Sequence, residues 1–195
     1  MTVRLTLVCA AAPTGREVRF ADTVPDERAL RQARAIGDGL SSADLRRTAP
    51  SQRCRLTATA LGWDAVPEEP ALRELDMGRW RGRGLDEVAA DAPDALGAWL
   101  TDPQAAPHGG ESVAELCRRV AAWADGLDAD AGRVQAVVDQ AVARAAVVHA
   151  LSAPERSFWR VDVPPLAVVR LTGRGGRWNL RMGAISTAAG GDTYE

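Results

Sequence analysis

The chain begins with a buried-strand pattern, Val3-Arg4-Leu5-Thr6-Leu7-Val8, and continues with Cys9-Ala10-Ala11-Ala12-Pro13-Thr14-Gly15. The first residues alternate between apolar and polar before they turn fully apolar, which is typical of a central strand. The carboxyl ends of sheet strands open into the ligand crevice of α/β proteins, so this strand end is a candidate site. It holds a thiol and three methyl groups.

Helix and strand patterns alternate along the rest of the chain, which predicts an α/β fold. The predicted helices cover residues 26–40, 50–61, 85–100 (two short helices broken at Pro93), a segment after Ser112, and 142–151. The predicted strands cover residues 133–138 and a terminal hairpin at 166–171 and 177–181. We predict one domain over residues 1–182, a three-layer α/β/α sandwich with a mostly parallel central sheet. We expect a disordered tail over residues 183–195.

Composition excludes several classes of protein. The formal net charge is −2 and every cation is arginine, which is typical of a GC-rich bacterial gene. We therefore expect neither a nucleic-acid partner nor binding to an anionic membrane. The three cysteines are widely spaced, which predicts neither a disulfide framework nor a metal site and favours a cytoplasmic location. A Walker phosphate loop requires a lysine, and no signature of a bound cofactor is present.

Six short motifs follow one another along the chain. They read Leu7-Val8-Cys9-Ala10-Ala11, Leu30-Arg31-Gln32-Ala33, Ala49-Pro50-Ser51-Gln52-Arg53-Cys54-Arg55-Leu56-Thr57-Ala58, Leu72-Arg73-Glu74-Leu75-Asp76-Met77-Gly78-Arg79-Trp80-Arg81-Gly82, Gly109-Gly110-Glu111-Ser112 and Val138-Asp139-Gln140-Ala141. In this order the chain resembles the histidine phosphatase superfamily, which has the phosphoglycerate-mutase-like fold, over residues 2–181. The corresponding family motifs are Leu-Val-Arg-His-Gly, Gly-x-x-Gln-Ala, Ser-Pro-x-x-Arg-Ala-x-x-Thr-Ala, Leu-x-Glu-x-x-x-Gly-x-Trp-x-Gly, Gly-Gly-Glu-Ser and Val-Ser-His-Gly.

The resemblance implies a role for each matched position. The family histidine that attacks phosphorus corresponds to Ala10, and the phosphate-binding arginine before it corresponds to Cys9. The second family histidine corresponds to Gln140. Two functional residues are retained, because Arg53 matches a phosphate-binding arginine and Glu74 matches the proposed proton donor. Phosphoryl transfer depends on clustered positive charge and on a nucleophile, so these replacements predict the loss of that chemistry.

The remaining candidate residues leave alternatives open. Arg53 and Glu74 form either a ligand-binding pair or a structural ion pair across the pocket. His108 either reaches the pocket from the loop beside Gly109 or lies exposed on it. Cys9 is either a buried apolar residue or, next to Arg53, a reactive thiol.

Our main hypothesis is a catalytically inactive member of this family, a pseudoenzyme. Its pocket, formed by Cys9, Ala10, Ala11, Arg53, Glu74, His108 and Gln140, would bind a small molecule or serve an interaction or regulatory role. The alternative is an enzyme with new chemistry that uses Cys9 or His108 with Glu74 and Arg53. A third possibility is a residual phosphatase or phosphomutase. A homodimer or a protein partner is compatible with each hypothesis.

Overall fold

A computed structural model describes residues 2–15 and 17–182 of the chain. The strands are β1 (Val3–Cys9), β2 (Leu45–Thr48), β3 (Arg133–Val138), β4 (Val168–Arg174) and β5 (Arg177–Arg181). The helices are α1 (Glu27–Gly37), α2 (Gln52–Ala60), α3 (Leu85–Asp91), α4 (Pro93–Thr101), α5 (Val113–Asp125) and α6 (Gln140–Ala150). Short 3₁₀ turns lie at Pro70–Leu72, Gly78–Trp80 and Glu155–Arg160.

The sheet has five strands in the order β2-β3-β1-β4-β5. Strand β3 pairs in parallel with both β1 and β2, and β4 pairs antiparallel with both β1 and β5. Strand β1 is therefore central, as its apolar ending predicts, and its side chains from Leu7 to Cys9 are fully buried. The carboxyl ends of β1 and β3 lie side by side, with Cys9 opposite Val138.

Helices cover both faces of the sheet and give three layers. Helix α2 contacts β2 and β3, and α1 packs against α2. Helix α6 contacts β1, β4 and β5, and α5 packs against α6. Helix α1 begins after Asp26, whose carboxylate accepts the N–H of Ala29 at 2.8 Å, as expected for an N-cap.

The α/β sandwich confirms the predicted fold class, while three details differ from the sequence-based expectations. The sheet is mixed, since two of its four strand pairings are antiparallel. Strand β2 was not predicted, because a stretch of four residues with two central arginines has no strand periodicity. Helix α2 begins later than predicted: Ser51 is its N-cap, so Pro50 lies outside the helix.

Two further expectations stay predictions. The predicted disordered tail, residues 183–195, lies outside the described residues, and the assignment of residues 1–182 to one domain stays a prediction. Within residues 2–15 and 17–182, no helix combines the length and the apolar character needed to cross a membrane.

Candidate functional site

The end of β1 is held by hydrogen bonds to β3 and to α2. The N–H of Ala10 donates to the Val138 carbonyl at 2.8 Å, and the N–H of Ala11 donates to the Thr57 hydroxyl of α2 at 3.0 Å. Cys9, Ala10 and Ala11 are all buried. The methyl side chains of Ala10 and Ala11 thus lie buried beside the carboxyl ends of β1 and β3.

The thiol of Cys9 is held in its protonated form. Burial, followed by the negative charge of Asp139, raises the pKa of Cys9 to about 12, and Arg53 only partly opposes this shift. A thiolate is the nucleophilic form of cysteine, and it is therefore scarce here at neutral pH. Burial also raises the pKa values of Cys54 and Cys117.

Arg53 lies in the first turn of α2 and binds a carboxylate that the motif comparison did not single out. Its Nε and Nη2 atoms donate to Oδ1 of Asp139 at 3.0 and 2.5 Å. Asp139 directly follows β3 and its side chain is completely buried, while the side chain of Arg53 is 16% exposed. Burial alone would lower the pKa of Arg53, but the charge and hydrogen bonds of Asp139 outweigh it and raise that pKa. The positive charge of the guanidinium is therefore balanced by a carboxylate of the protein itself.

Glu74 is the weaker partner of Arg53. Its Oε2 lies 3.4 Å from Nη2 of Arg53, and its Oε1 accepts the N–H of Leu75 at 3.0 Å. Burial and then the nearby charge of Asp139 raise the pKa of Glu74 to about 8. Because 37% of the Glu74 side chain is exposed, solvent moderates the rise in its pKa. The direction is upward because Glu74 and Asp139 share one arginine, and a neighbouring negative charge disfavours the ionised form of Glu74.

A second carboxylate occupies the backbone donors at the start of α2. The side chain of Asp22 accepts the N–H of Gln52 at 2.6 Å and the N–H of Arg53 at 3.1 Å. Free N–H groups at a helix N-terminus attract anions. Both types of anion donor on α2, the backbone and the guanidinium, are thus bound to carboxylates of the chain itself.

Gln140 and His108 are also engaged in internal contacts. The amide Nε2 of Gln140 donates to the Val163 carbonyl at 2.8 Å. His108 is buried, its Nδ1 accepts the N–H of Gly110 at 3.0 Å, and its ring lies 5.1 Å from that of Trp80. Burial lowers the pKa of His108, so its imidazole is neutral at pH 7. The expectation of an exposed loop histidine is therefore wrong, whereas the assignment of His108 to the pocket stays a prediction.

The rings around His108 form an aromatic cluster: Phe20, Trp80, Trp99, Phe158 and Trp159. Trp99 is in edge-to-face contact with Trp159, with 4.4 Å between ring centroids. The loop of His108 rests on Gly78, where a Cβ atom would lie 2.3 Å from the His108 carbonyl oxygen. The cluster thus links the loop 102–110 to α4 and to the turn at Glu155–Arg160.

The retained Gly-Gly-Glu-Ser motif has a structural role in this chain. Glu111 forms a two-point ion pair with Arg119, at 2.8 and 2.6 Å. Ser112 caps α5 by accepting the N–H of Glu115 at 3.2 Å, and the Glu115 carboxylate accepts the Ser112 N–H at 2.8 Å. These contacts join the loop to α5 through side chains of the protein itself.

Motif comparison found Arg53, Glu74 and the strand ends, and the structure brings them together around Asp139. It missed Asp139, Thr57 and Asp22 as members of the site. Asp139 had a signal in the sequence, because a carboxylate directly after a buried strand lies at the sheet edge where sites form. Within the described residues no group of three or more His, Cys, Asp or Glu side chains is arranged to hold a metal ion.

Fold and motif order agree with one family. The chain belongs to the histidine phosphatase superfamily (branch 1), whose family model matches residues 15–185. The match begins downstream of Cys9-Ala10-Ala11.

Individual relatives share parts of the sequence. The chain is 42% identical over 81 residues to a glucosyl-3-phosphoglycerate phosphatase of Mycolicibacterium vanbaalenii. The matched stretch covers 40% of this chain and 33% of that protein. It is 31% identical over 114 residues to phosphoserine phosphatase 1 of Hydrogenobacter thermophilus. This match covers 55% of this chain and 54% of that protein. These matches span about a third and about half of the two relatives. The solved structure of a mycobacterial glucosyl-3-phosphoglycerate phosphatase is 26% identical, covers 92% of this chain and 97% of its own, and superposes with a TM-score of 0.77.

Proposed function

We propose that this protein is a catalytically inactive member of the histidine phosphatase superfamily, whose remodelled pocket serves binding, interaction or regulation. The observation that carries the proposal is the buried ion pair between Arg53 and Asp139. An arginine that binds phosphate must offer its N–H groups to the incoming oxygens. In this chain, Oδ1 of Asp139 accepts from both Nε and Nη2 of Arg53.

Displacing Asp139 would carry a large free-energy cost. A phosphate that took its place would leave a buried carboxylate without a partner, which costs about 3–5 kcal/mol. That cost corresponds to a loss of phosphate affinity of roughly 150-fold or more. Asp22 adds negative charge near the same donors, so the pocket favours a neutral ligand over an anionic one.

The positions of Ala10 and Gln140 support the proposal from another direction. The N–H of Ala10 bonds to Val138, and Gln140 begins α6 two residues after Val138, so both positions lie at the same end of the sheet. By the family resemblance these are the histidine positions. A methyl group and an amide that is already bonded to Val163 supply neither a nucleophile nor a cation.

The alternative of new chemistry at Cys9 or His108 has less support. The Cys9 thiol is buried and has a raised pKa, and the His108 imidazole is neutral and packed among tryptophans. Residual phosphatase activity is a second candidate, because the named relatives are phosphatases.

The test compares the purified wild type with two variants, using p-nitrophenyl phosphate and phosphoserine as substrates. The first variant combines Cys9→Arg, Ala10→His and Gln140→His, and the second adds Asp139→Ser. We expect no turnover above buffer by the wild type or the first variant, and measurable turnover by the second, since only the second has both a nucleophile and a free Arg53.

The Arg53→Ala variant, purified in parallel, is the control for contaminating phosphatases. Wild-type turnover that Arg53→Ala abolishes would show that the chain is an active phosphatase and would overturn the proposal. Equal turnover by the wild type and Arg53→Ala would be attributed to a contaminant.

A further inference from the structure

A second cleft lies at the opposite end of the sheet from the candidate site. It has a volume of about 430 Å³, within the range of small-molecule sites. We call it the arginine cleft, because four of its lining residues are Arg4, Arg133, Arg170 and Arg181. Five residues of extended strand separate Arg4 from Cys9, a distance of about 17 Å.

The strand register explains why these arginines converge. Arg4 of β1 pairs with Arg133 of β3, and Arg170 of β4 pairs with Arg181 of β5. Thr6 lies opposite Arg170, and because Thr6 and Arg4 are two residues apart on β1, both point to one face of the sheet. All four arginines are exposed on this face.

The charge of the cleft is strongly one-sided. None of its described lining residues is acidic, although the protein as a whole has a net charge of −2. Arg133 forms an exposed ion pair with Asp44, at 3.4 Å. Within residues 2–15 and 17–182, the other three arginines form no ion pair. Like charges directly opposite each other on antiparallel strands are destabilising, as for Arg170 and Arg181, so a bound anion would stabilise the sheet.

The cleft also holds an unused hydrogen-bond acceptor. Gln135 lines it, is buried, and donates through Nε2 to the Ser41 carbonyl at 2.8 Å. Its Oε1 atom has no hydrogen-bond partner within the described part of the chain. Buried polar atoms are nearly always hydrogen-bonded in native proteins, so Oε1 is available to accept a hydrogen bond from a water molecule that bridges it to a bound anion.

We propose that the arginine cleft binds a small ligand with two or more phosphate groups. A guanidinium group can donate two parallel hydrogen bonds to the oxygens of one phosphate. Four arginines around a cleft of this volume therefore match a compact polyanion. This site is independent of the proposed function, because within the described residues none of its lining residues is a hydrogen-bond or ion-pair partner of Arg53.

The test is calorimetric titration of the full chain with inorganic pyrophosphate, tripolyphosphate and inorganic phosphate at low ionic strength. We expect tripolyphosphate and pyrophosphate to bind at least about ten-fold more tightly than phosphate. We expect the double variant Arg170→Gln, Arg181→Gln to weaken pyrophosphate binding at least about ten-fold, since each charge-assisted hydrogen bond contributes roughly this factor. The matched control, Arg28→Gln with Arg31→Gln on the exposed side of α1, changes the net charge equally and should leave binding unchanged.

Thermal unfolding excludes misfolding as the cause of weaker binding, because removing the repulsion between residues 170 and 181 should not lower the unfolding temperature. Equal affinity for pyrophosphate and phosphate would overturn the proposal. So would equal weakening by the two double variants, which would indicate general charge attraction. Tighter binding of a single-stranded oligonucleotide than of tripolyphosphate would also overturn it.

Discussion

The Asp139→Asn substitution tests the central feature of the candidate site, the buried ion pair with Arg53. Asparagine keeps the shape of the side chain but removes the charge, which leaves a guanidinium that is only 16% exposed without its main partner. Breaking a buried pair in this way costs about 3–5 kcal/mol. Glu74, 3.4 Å from the guanidinium, recovers part of this cost, so we expect a loss of about 2–4 kcal/mol in the free energy of unfolding. For a chain of this length that is a decrease in Tm of about 5–12 °C.

The assay is thermal and urea unfolding of the wild type and the variant, with and without 10 mM inorganic phosphate at matched ionic strength. The variant exposes an arginine to phosphate, so phosphate should raise its Tm by several degrees more than that of the wild type. Asp91→Asn is the control, because it removes an exposed ion pair with Arg83 and should cost less than about 1 kcal/mol. If Asp139→Asn is as stable as Asp91→Asn and gains nothing extra from phosphate, the assignment of Asp139 as an internal substitute for an anion is wrong.

Three further predictions concern single positions. Because the pKa of Glu74 is raised from 4.5 towards 8, the folded protein binds more protons than the unfolded chain between these values, and its stability should fall as pH rises through this window. Solvent exposure limits the effect to about 1–2 kcal/mol, and Glu74→Gln should flatten the profile in urea unfolding. Thiol labelling of the native protein should modify Cys117, whose pKa is raised to about 11, faster than Cys9, and faster labelling of Cys9 would contradict the burial of its thiol. Gly78→Ala should lower the free energy of unfolding by about 2 kcal/mol or more, since φ is +46° and a Cβ would collide with the His108 carbonyl, whereas Gly97→Ala in α4 should be neutral or stabilising in the same thermal scan.

Much of the fold could be predicted because its elements have regular periodicity. The buried strands β1 and β3 and the break between α3 and α4 at Pro93 are visible in the apolar pattern and in proline chemistry. Strand β2 could not be predicted, because its pairing with β3 is a long-range contact and its own four residues carry little signal. The mixed character of the sheet likewise depends on the antiparallel pairing of β4 with β1, a long-range contact that no local sequence pattern predicts.

The candidate site was predictable as a set of positions but not as a set of contacts. Motif order identified Arg53 and Glu74, and Nη2 of Arg53 lies 3.4 Å from Oε2 of Glu74. The dominant partner of Arg53 is Asp139, which is 86 positions away in the sequence. Motif comparison registers which residues differ from a family pattern, but it does not register that a substituted residue has formed a new bond with a retained one.

The aromatic cluster around His108 provides an intrinsic spectroscopic probe of side-chain packing. Trp99 and Trp159 meet almost at right angles, with ring planes 73° apart and 4.4 Å between centroids, so their electronic transitions are coupled. The near-ultraviolet circular dichroism of the native protein should therefore be strong, and it should disappear once side-chain packing is lost. Because Trp80 contacts both Trp99 and the ring of His108, any displacement of the loop 102–110 would change this spectrum without an added label.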